Sequence, residues 1–87
     1  MIKINPMIVM REELEGWGVL FDPDTGDTFG LNAVSVFIWK GLEAKQSKSE
    51  ILAGLTAACG GTLPESAALD FDDFVAELVG KGYATIE

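Results

Sequence analysis

The sequence predicts an α+β fold in which a three-stranded antiparallel sheet is followed by a three-helix bundle, in the order βββααα. Short β-prone runs separated by turn residues occupy the first third of the chain. The remainder places apolar residues at helical spacing, and the linkers contain only a few residues. A length of 87 residues suits one domain, residues 1–87, with one modest core.

Three runs near the N-terminus are predicted to be strands. Met7–Leu14 forms the first, and Gly16 breaks it. Trp17–Phe21 forms the second and Asp27–Leu31 the third.

The apolar patterns of the second and third strands predict their places in the sheet. The second carries consecutive apolar residues from Val19 to Phe21, which indicates that both of its faces are covered and that it lies in the middle. The third alternates Thr28, Phe29, Gly30 and Leu31, which is typical of an edge strand with one buried face.

Two helices are predicted after the third strand. Asn32 is a suitable N-cap for the first, whose apolar residues include Val36, Phe37 and Trp39, with Gly41 near its end. The second begins after Ser47 or Ser49. Ser47 and Glu50 have the spacing of a capping box, and Gly60–Gly61 ends the helix.

The third predicted helix begins near Pro64 and is stopped by Gly80 and Gly82. Acidic residues fill one of its faces, and Tyr83–Ile86 is a candidate final strand. The apolar stripe of the helix consists of Ala67, Phe71, Phe74, Val75 and Leu78.

Three aspartates surround the segment that joins the second and third strands, DPDTGD. In a calcium loop of the EF-hand type, Gly26 would stand at a ligand position, and Ala33 would replace the bidentate glutamate. A tight turn explains the segment better. Pro23 sets the first corner, Asp22 accepts a backbone hydrogen bond, and Gly26 takes the left-handed conformation.

The composition argues against several functions. The net charge is −8, and six Lys and Arg residues are too few and too scattered to grip nucleic acid or an anionic membrane. The chain has no His, so the commonest general base is absent, and the single Cys59 cannot build a zinc site alone. We therefore expect no catalysis, no metal and no cofactor.

The N-terminus suggests no signal peptide, and the apolar runs are too short to span a bilayer. Together with the unpaired Cys59, these features predict a cytoplasmic protein. We expect Cys59 to be a structural helix residue rather than a reactive thiol, since no cation or His is nearby in the sequence.

The third strand is predicted to have an open edge beside a helix rich in Phe. It carries no Lys or Pro to blunt that edge, so an extended peptide could add a strand there. The side chains of Phe71, Phe74, Val75 and Leu78 could then form the wall of a groove. Alternatively, these four residues are simply core, and residue physics alone leaves both interpretations open.

An ordered set of motifs resembles the PqqD family of small peptide chaperones, also called RiPP recognition elements. The set comprises LFDPDTGDTFGLN, the apolar FIW helix, a Ser-led second helix and the segment FVAELVGKGY. Stand-alone PqqD-like proteins of radical S-adenosylmethionine peptide-modification cassettes are especially similar. One departure is that many relatives have LNPTG where this chain has LNAVSV, which leaves the class of partner open.

The resemblance implies a winged-helix-like fold and a non-catalytic function. The leader segment of a ribosomally made precursor peptide would pair with the third strand, at Asp27, Thr28, Phe29, Gly30 and Leu31. Phe71, Phe74, Val75 and Leu78 would contribute the groove wall. The protein would then present the peptide to a modifying enzyme, usually a radical S-adenosylmethionine enzyme. An open edge also permits a homodimer.

The rival function is that of a winged-helix DNA-binding or transcription-regulatory protein. Its third helix would have to read DNA, yet that helix offers Asp70, Asp72, Asp73 and Glu77 where Arg or Lys is wanted.

We predict that the protein does not bind duplex DNA at moderate salt, because the acidic third helix would repel phosphates. Fluorescence anisotropy with a labelled random duplex measures this. Salt-dependent association at low micromolar concentration would contradict the prediction and favour the DNA-binding alternative.

Overall fold

The computed structural model describes residues 2–13, 16–58, 60–61 and 67–87. Its elements confirm the predicted α+β arrangement, in which a three-stranded antiparallel sheet precedes three helices. The likeness to a winged helix stays a prediction. The elements are β1 (Ile2–Ile4), β2 (Val9–Glu12), β3 (Gly18–Phe21), β4 (Thr28–Leu31), α1 (Ala33–Glu43), α2 (Lys48–Ala58), α3 (Ala67–Gly80) and β5 (Ala84–Ile86).

The larger sheet has the order β2-β3-β4, so the second predicted strand does lie in the middle. Leu20 pairs with Phe29 and Phe21 with Thr28, as the turn interpretation requires. The expectation that both faces of β3 are covered is wrong, because Leu20 is fully buried whereas Phe21 is 39% exposed. The helices pack against the inner face alone, so the apolar side chains of the outer face remain near solvent.

Hydrogen bonds within residues 22–27 confirm that the aspartate-rich segment forms a tight turn. The Asp24 N–H donates to Asp22 Oδ1 at 2.9 Å, and the Gly26 N–H donates to the Asp22 carbonyl at 2.8 Å. Gly26 has φ 78°, which is the left-handed conformation that side chains with a Cβ disfavour. The turn therefore sets the register of the β3–β4 hairpin.

A second, two-stranded sheet joins the two ends of the described chain. Strand β1 pairs antiparallel with β5, which confirms the candidate final strand and adds a first strand that the sequence pattern does not predict. The register places Ile2 opposite Ile86 and Ile4 opposite Ala84. Since β1 pairs with a strand at the far end of the sequence, no local turn signal predicts it.

The predicted helix caps are present. Asn32 Oδ1 accepts from the Ser35 N–H at 2.9 Å and caps α1. Ser47 and Glu50 form a reciprocal capping box at the start of α2, with donor–acceptor distances of 3.0 and 3.2 Å. Helix α3 runs through Gly80 and ends where Gly82 adopts φ 78° and the Tyr83 N–H donates to the Leu78 carbonyl.

One core lies between the inner face of the sheet and the helices. A Cβ on Gly41 would approach Ile51 Cγ1 to 2.5 Å, so Gly41 permits α1 and α2 to pack closely. Each buried aliphatic or aromatic side chain contributes about 1.5–3 kcal/mol of transfer free energy. The most deeply buried large side chains are Trp39, Phe71, Leu20, Leu31, Ile38, Ile51 and Leu78.

Three sequence-based expectations concern residues outside the described ranges. These are the end of the first strand at Leu14, the structural role of Cys59, and the start of the third helix near Pro64. Among the helices that the structure describes, none combines the length and the apolar character needed to cross a bilayer.

We predict that Gly26→Ala destabilises the protein by about 1–2 kcal/mol, because it forces a Cβ into the left-handed conformation. Thermal unfolding followed by circular dichroism measures this, with a melting temperature lowered by about 4–8 °C per kcal/mol. Gly30→Ala is the matched control, because its Cβ also meets nothing within 4 Å and its φ is not positive. Equal losses in the two variants would contradict the strain argument.

Candidate functional site

The backbone of β4 presents hydrogen-bonding groups at an open edge. The Asp22 N–H donates to the Asp27 carbonyl at 2.9 Å. Since paired and unpaired positions alternate in an antiparallel ladder, the N–H and C=O groups of Phe29 and Leu31 point toward β3. Those of Thr28 and Gly30 therefore point away from it. Within the described residues, no strand pairs with this outer edge.

A cleft of about 470 Å³ lies beside this edge, between β4, α1 and α3. Strand β4 supplies one side, the first turns of α1 close one end, and α3 forms the opposite side. The cleft is lined by Phe29, Gly30, Asn32, Val34, Ser35, Ile38, Asp70, Asp73, Phe74 and Glu77. It therefore joins a free strand edge to a surface that is apolar at its base and acidic along α3.

Aromatic contacts connect the strand to the helix at the base of the cleft. The rings of Phe29 and Phe74 are tilted by 44°, with centroids 6.3 Å apart. The Lys81 ammonium lies 5.0 Å from the Phe29 ring centroid, within range of a cation–π interaction. These contacts hold β4 against α3 and leave part of the Phe29 ring accessible.

The structure separates the four predicted wall residues. All four belong to the hydrophobic core, and Phe74, which is 6% exposed, also lines the cleft. Phe71, Val75 and Leu78 are at most 5% exposed and are not among the residues that line it. The alternative interpretation, that most of the stripe is core, therefore describes these three residues, and Phe74 is shared between the core and the cleft.

Sequence reasoning assigned no role in the site to the cleft residues of α1 or to the carboxylates of α3. Asp70, Asp73 and Glu77 are spaced by three and four positions, which places them along one side of a helix. That spacing was visible in the sequence. The strand edge opposite them was visible only after folding, because no local pattern specifies which helix face packs beside β4.

The pKa of Tyr83 is sensitive to the charged turn that precedes β4. The side chain is buried, and burial raises the pKa of its hydroxyl above the ordinary value of 10.0. The negative charges of Asp27 and Asp22 raise it further, because a second anion beside them is unfavourable. The hairpin turn therefore lies close enough to Tyr83 for the two to interact electrostatically.

Another cleft, of about 410 Å³, lies near β1, but it is a weaker candidate. Strand β1 has three residues, and Pro6, which lines that cleft, has no N–H to donate. Strand β2 carries Glu12, which is already paired with Lys40 of α1. Among the described strands, β4 combines outward backbone groups with a cleft bordered by two helices.

Neither metal binding nor DNA binding gains support from this geometry. No group of three or more His, Cys, Asp or Glu residues in the described ranges could hold a metal ion. The exposed face of α3 carries Asp70, Asp73 and Glu77, so the helix that would read DNA presents negative charge to it.

One family model matches most of the sequence. The sequence model described as "Coenzyme PQQ synthesis protein D (PqqD)" matches residues 18–84. Among curated protein sequences, none matches this chain.

Two solved structures have the same fold. One is described as "TbiB1 in Complex with the TbiA(beta) Leader Peptide"; it is 29% identical, with a TM-score of 0.76, covering 98% of this chain and 96% of its own. The other is "Lasso peptide synthetase B1 complexed with the leader peptide", 23% identical, with a TM-score of 0.79 and 98% of each chain covered. Each similarity extends over nearly the whole chain.

We predict that the Tyr83 hydroxyl titrates above pH 10 and that Asp27→Asn lowers its midpoint, because one of the neighbouring negative charges is removed. Absorbance near 295 nm measures this directly, since Tyr83 is the only Tyr in the chain. Asp24→Asn is the control, because Asp24 does not raise this pKa.

The sign of the accompanying stability change follows from linkage. Because the pKa of Tyr83 is raised in the folded state, the unfolded chain loses the hydroxyl proton at a lower pH than the folded chain does. The contribution of Tyr83 to the free energy of unfolding is therefore fully present below pH 10, and it is lost as the pH rises through the folded pKa. Tyr83→Phe should remove this part of the loss of folding stability at alkaline pH. A midpoint at or below 10, or one that does not respond to Asp27→Asn, would contradict the proximity of the two groups.

Proposed function

This chain belongs to the PqqD family, and we propose that it is a non-catalytic chaperone for a ribosomally synthesised precursor peptide. It binds the leader segment by strand addition at β4 and presents it to a separate modifying enzyme. One observation carries the proposal. The outward backbone groups of Thr28 and Gly30 border the α1–α3 cleft in a fold whose 29%-identical relative was solved with a leader peptide.

Strand addition begins with backbone pairing. Two N–H and two C=O groups, those of Thr28 and Gly30, are available to the peptide. At about 0.5–1.5 kcal/mol net for each hydrogen bond, they contribute about 2–6 kcal/mol. Micromolar affinity needs about 8 kcal/mol, so side-chain contacts in the cleft must supply the remainder.

The base of the cleft supplies an apolar contact. Phe29, Ile38 and Phe74 come from three different elements and meet at the same surface. In an added strand every second side chain points to the same face, so one apolar side chain of the leader can cover this surface. Burial of such a side chain is worth about 1.5–3 kcal/mol, so the upper end of the total, about 9 kcal/mol, reaches micromolar affinity.

The proposed binding residues fall into two groups. Residues 27–31 form the edge segment, in which Thr28 and Gly30 supply the pairing groups while the Asp27 carbonyl and the backbone groups of Phe29 and Leu31 face β3. Phe74 supplies the contact wall. Phe71, Val75 and Leu78 act from the core by holding Phe74 and the helix in place. Residues 1–87 together form the proposed single peptide-binding domain.

The partner that acts on the peptide is proposed to be a separate enzyme. Since the sequence contains no His, the usual general base is not available to this chain. The resemblance to PqqD favours a radical S-adenosylmethionine enzyme. One of the similar solved structures is described instead as lasso peptide synthetase B1. Co-purification of the leader complex with each enzyme class from the same gene cluster distinguishes the two.

Peptide binding and self-association would compete for the same edge. Two copies of the chain could pair through β4, because unpaired strand edges pair readily with one another. A homodimer formed in this way leaves no free backbone groups for a leader. Because ribosomal precursors are made in the cytoplasm, we place the complex there.

The experiment that tests the function is a heteronuclear NMR titration with the leader of the cognate precursor peptide. Shifts concentrated in residues 27–32 and 71–78 support binding at β4 and α3. Shifts confined to the first strands or to α2 would overturn the proposed site. No shifts at a large excess of leader would overturn the proposed function.

We predict that Gly30→Pro weakens leader binding by about tenfold or more while the domain remains folded. Proline removes one outward N–H, and its ring obstructs the incoming strand, whereas an edge strand tolerates it. Isothermal titration calorimetry measures the affinity, and circular dichroism measures the fold. Gly30→Ala keeps the N–H and serves as the control. Unchanged affinity in Gly30→Pro would show that the peptide pairs elsewhere.

A further inference from the structure

Three carboxylates border the cleft along α3, and none of them has an ion-pair partner among the residues that the structure describes. Asp70, Asp73 and Glu77 are exposed and line the cleft. Within the described residues, none of them forms a salt bridge. Asp72, on the same helix, is paired with Lys48 at 2.9 Å. The side of α3 that meets the cleft is thus the side whose negative charge is left uncompensated.

The other cleft residues offer no positive side chain to balance these carboxylates. Neither Lys nor Arg is among the residues that line it. Lys81 lies near one end, with its ammonium 5.0 Å from the Phe29 ring centroid, and contributes one positive charge against three carboxylates. The N-terminus of α1 also opens toward the cleft, where the Asn32 side chain accepts from the Ser35 N–H. A peptide in this cleft therefore meets an excess of negatively charged side chains.

We propose that this cleft selects leader segments in which an apolar anchor is flanked by basic residues on the same face of the strand. This inference rests on the proposed function and adds the chemistry of its ligand. The anchor covers Phe29, Ile38 and Phe74 at the base. Lys or Arg side chains of the leader reach the carboxylates of α3.

The spacings of helix and strand are compatible with this arrangement. Asp70 and Glu77 are separated by about 10.5 Å along the helix axis, at 1.5 Å per residue. Residues that flank an anchor on the same face of a strand are four positions apart, which is about 13 Å. The long side chains of Lys or Arg can span the difference, so each flanking residue can face one carboxylate.

An acidic helix face exposed to water is common and needs no ligand. Two features of this face go beyond that ordinary case. It lies opposite the strand edge of β4, whose outward backbone groups border the cleft. Among the described residues its charges form no salt bridge, whereas Asp72 is paired with Lys48. Charge complementarity also speeds the association with an extended peptide and favours one orientation of it.

The test uses a phage-displayed library of random 14-residue peptides, selected on the full chain at low salt. Selected sequences are then synthesised, and their dissociation constants are measured by fluorescence anisotropy at 50 and 300 mM NaCl. We expect Lys or Arg at alternate positions around an apolar residue, and weaker binding at the higher salt.

A variant with neutral side chains in place of the three carboxylates tests whether they cause the preference for basic peptides. The triple variant Asp70→Asn, Asp73→Asn, Glu77→Gln should weaken the selected peptides by about tenfold at 50 mM NaCl. The control triple variant Asp24→Asn, Glu43→Gln, Glu13→Gln changes the net charge equally at exposed positions away from the cleft. It should change affinity by less than about threefold. Circular dichroism verifies that both variants are folded.

The Gly30→Pro variant separates failure of this inference from failure of the proposed function. One outcome would overturn the charge preference alone. The selected peptides would bind Gly30→Pro more weakly, but they would lack basic residues or bind the cleft triple variant as tightly as the unmodified chain. Strand addition would then still be supported. Equal losses in the two triple variants would also overturn the charge preference, because they would indicate a general effect of net charge. Selected peptides that bind Gly30→Pro normally, or the absence of any binders, would overturn both.

Discussion

Strand β4 is held by its side chains on one face and by β3 along one edge, and the site depends on this asymmetry. Leu31 is 1% exposed in the core, and the Phe29 ring packs against Phe74. These contacts keep the strand flat against the helices without using the outward backbone groups of Thr28 and Gly30. An edge that is ordered in advance loses less entropy when a second strand pairs with it.

The turn before β4 decides which groups face outward. A shift of the β3–β4 register by one residue would turn Phe29 and Leu31 away from the core and exchange the inward and outward N–H groups. The hydrogen bonds of Asp22 and the left-handed Gly26 prevent such a shift. Under the proposed function, the aspartates that resemble a metal loop therefore contribute to recognition indirectly, by setting the geometry of the neighbouring strand.

Helix α3 performs two separate tasks on its two faces. Phe71, Val75 and Leu78 attach it to the core, and their burial determines its rotation. That rotation carries Asp70, Asp73 and Glu77 to the cleft, while Phe74 lies at the boundary between the two faces. Part of the net charge of −8 is therefore concentrated beside the cleft, which the total charge alone does not reveal.

The sequence by itself determined the order of the three sheet strands and the three helices, the turn, the caps and the central place of β3, because these depend on neighbours within a few residues. It also carried the family resemblance. Only the tertiary structure decided that Phe21 stays partly exposed, that β1 pairs with β5, and that Phe74 alone of its stripe lines the cleft. The physical reason is that a periodic pattern specifies which residues share a face, whereas packing between distant segments specifies what that face meets.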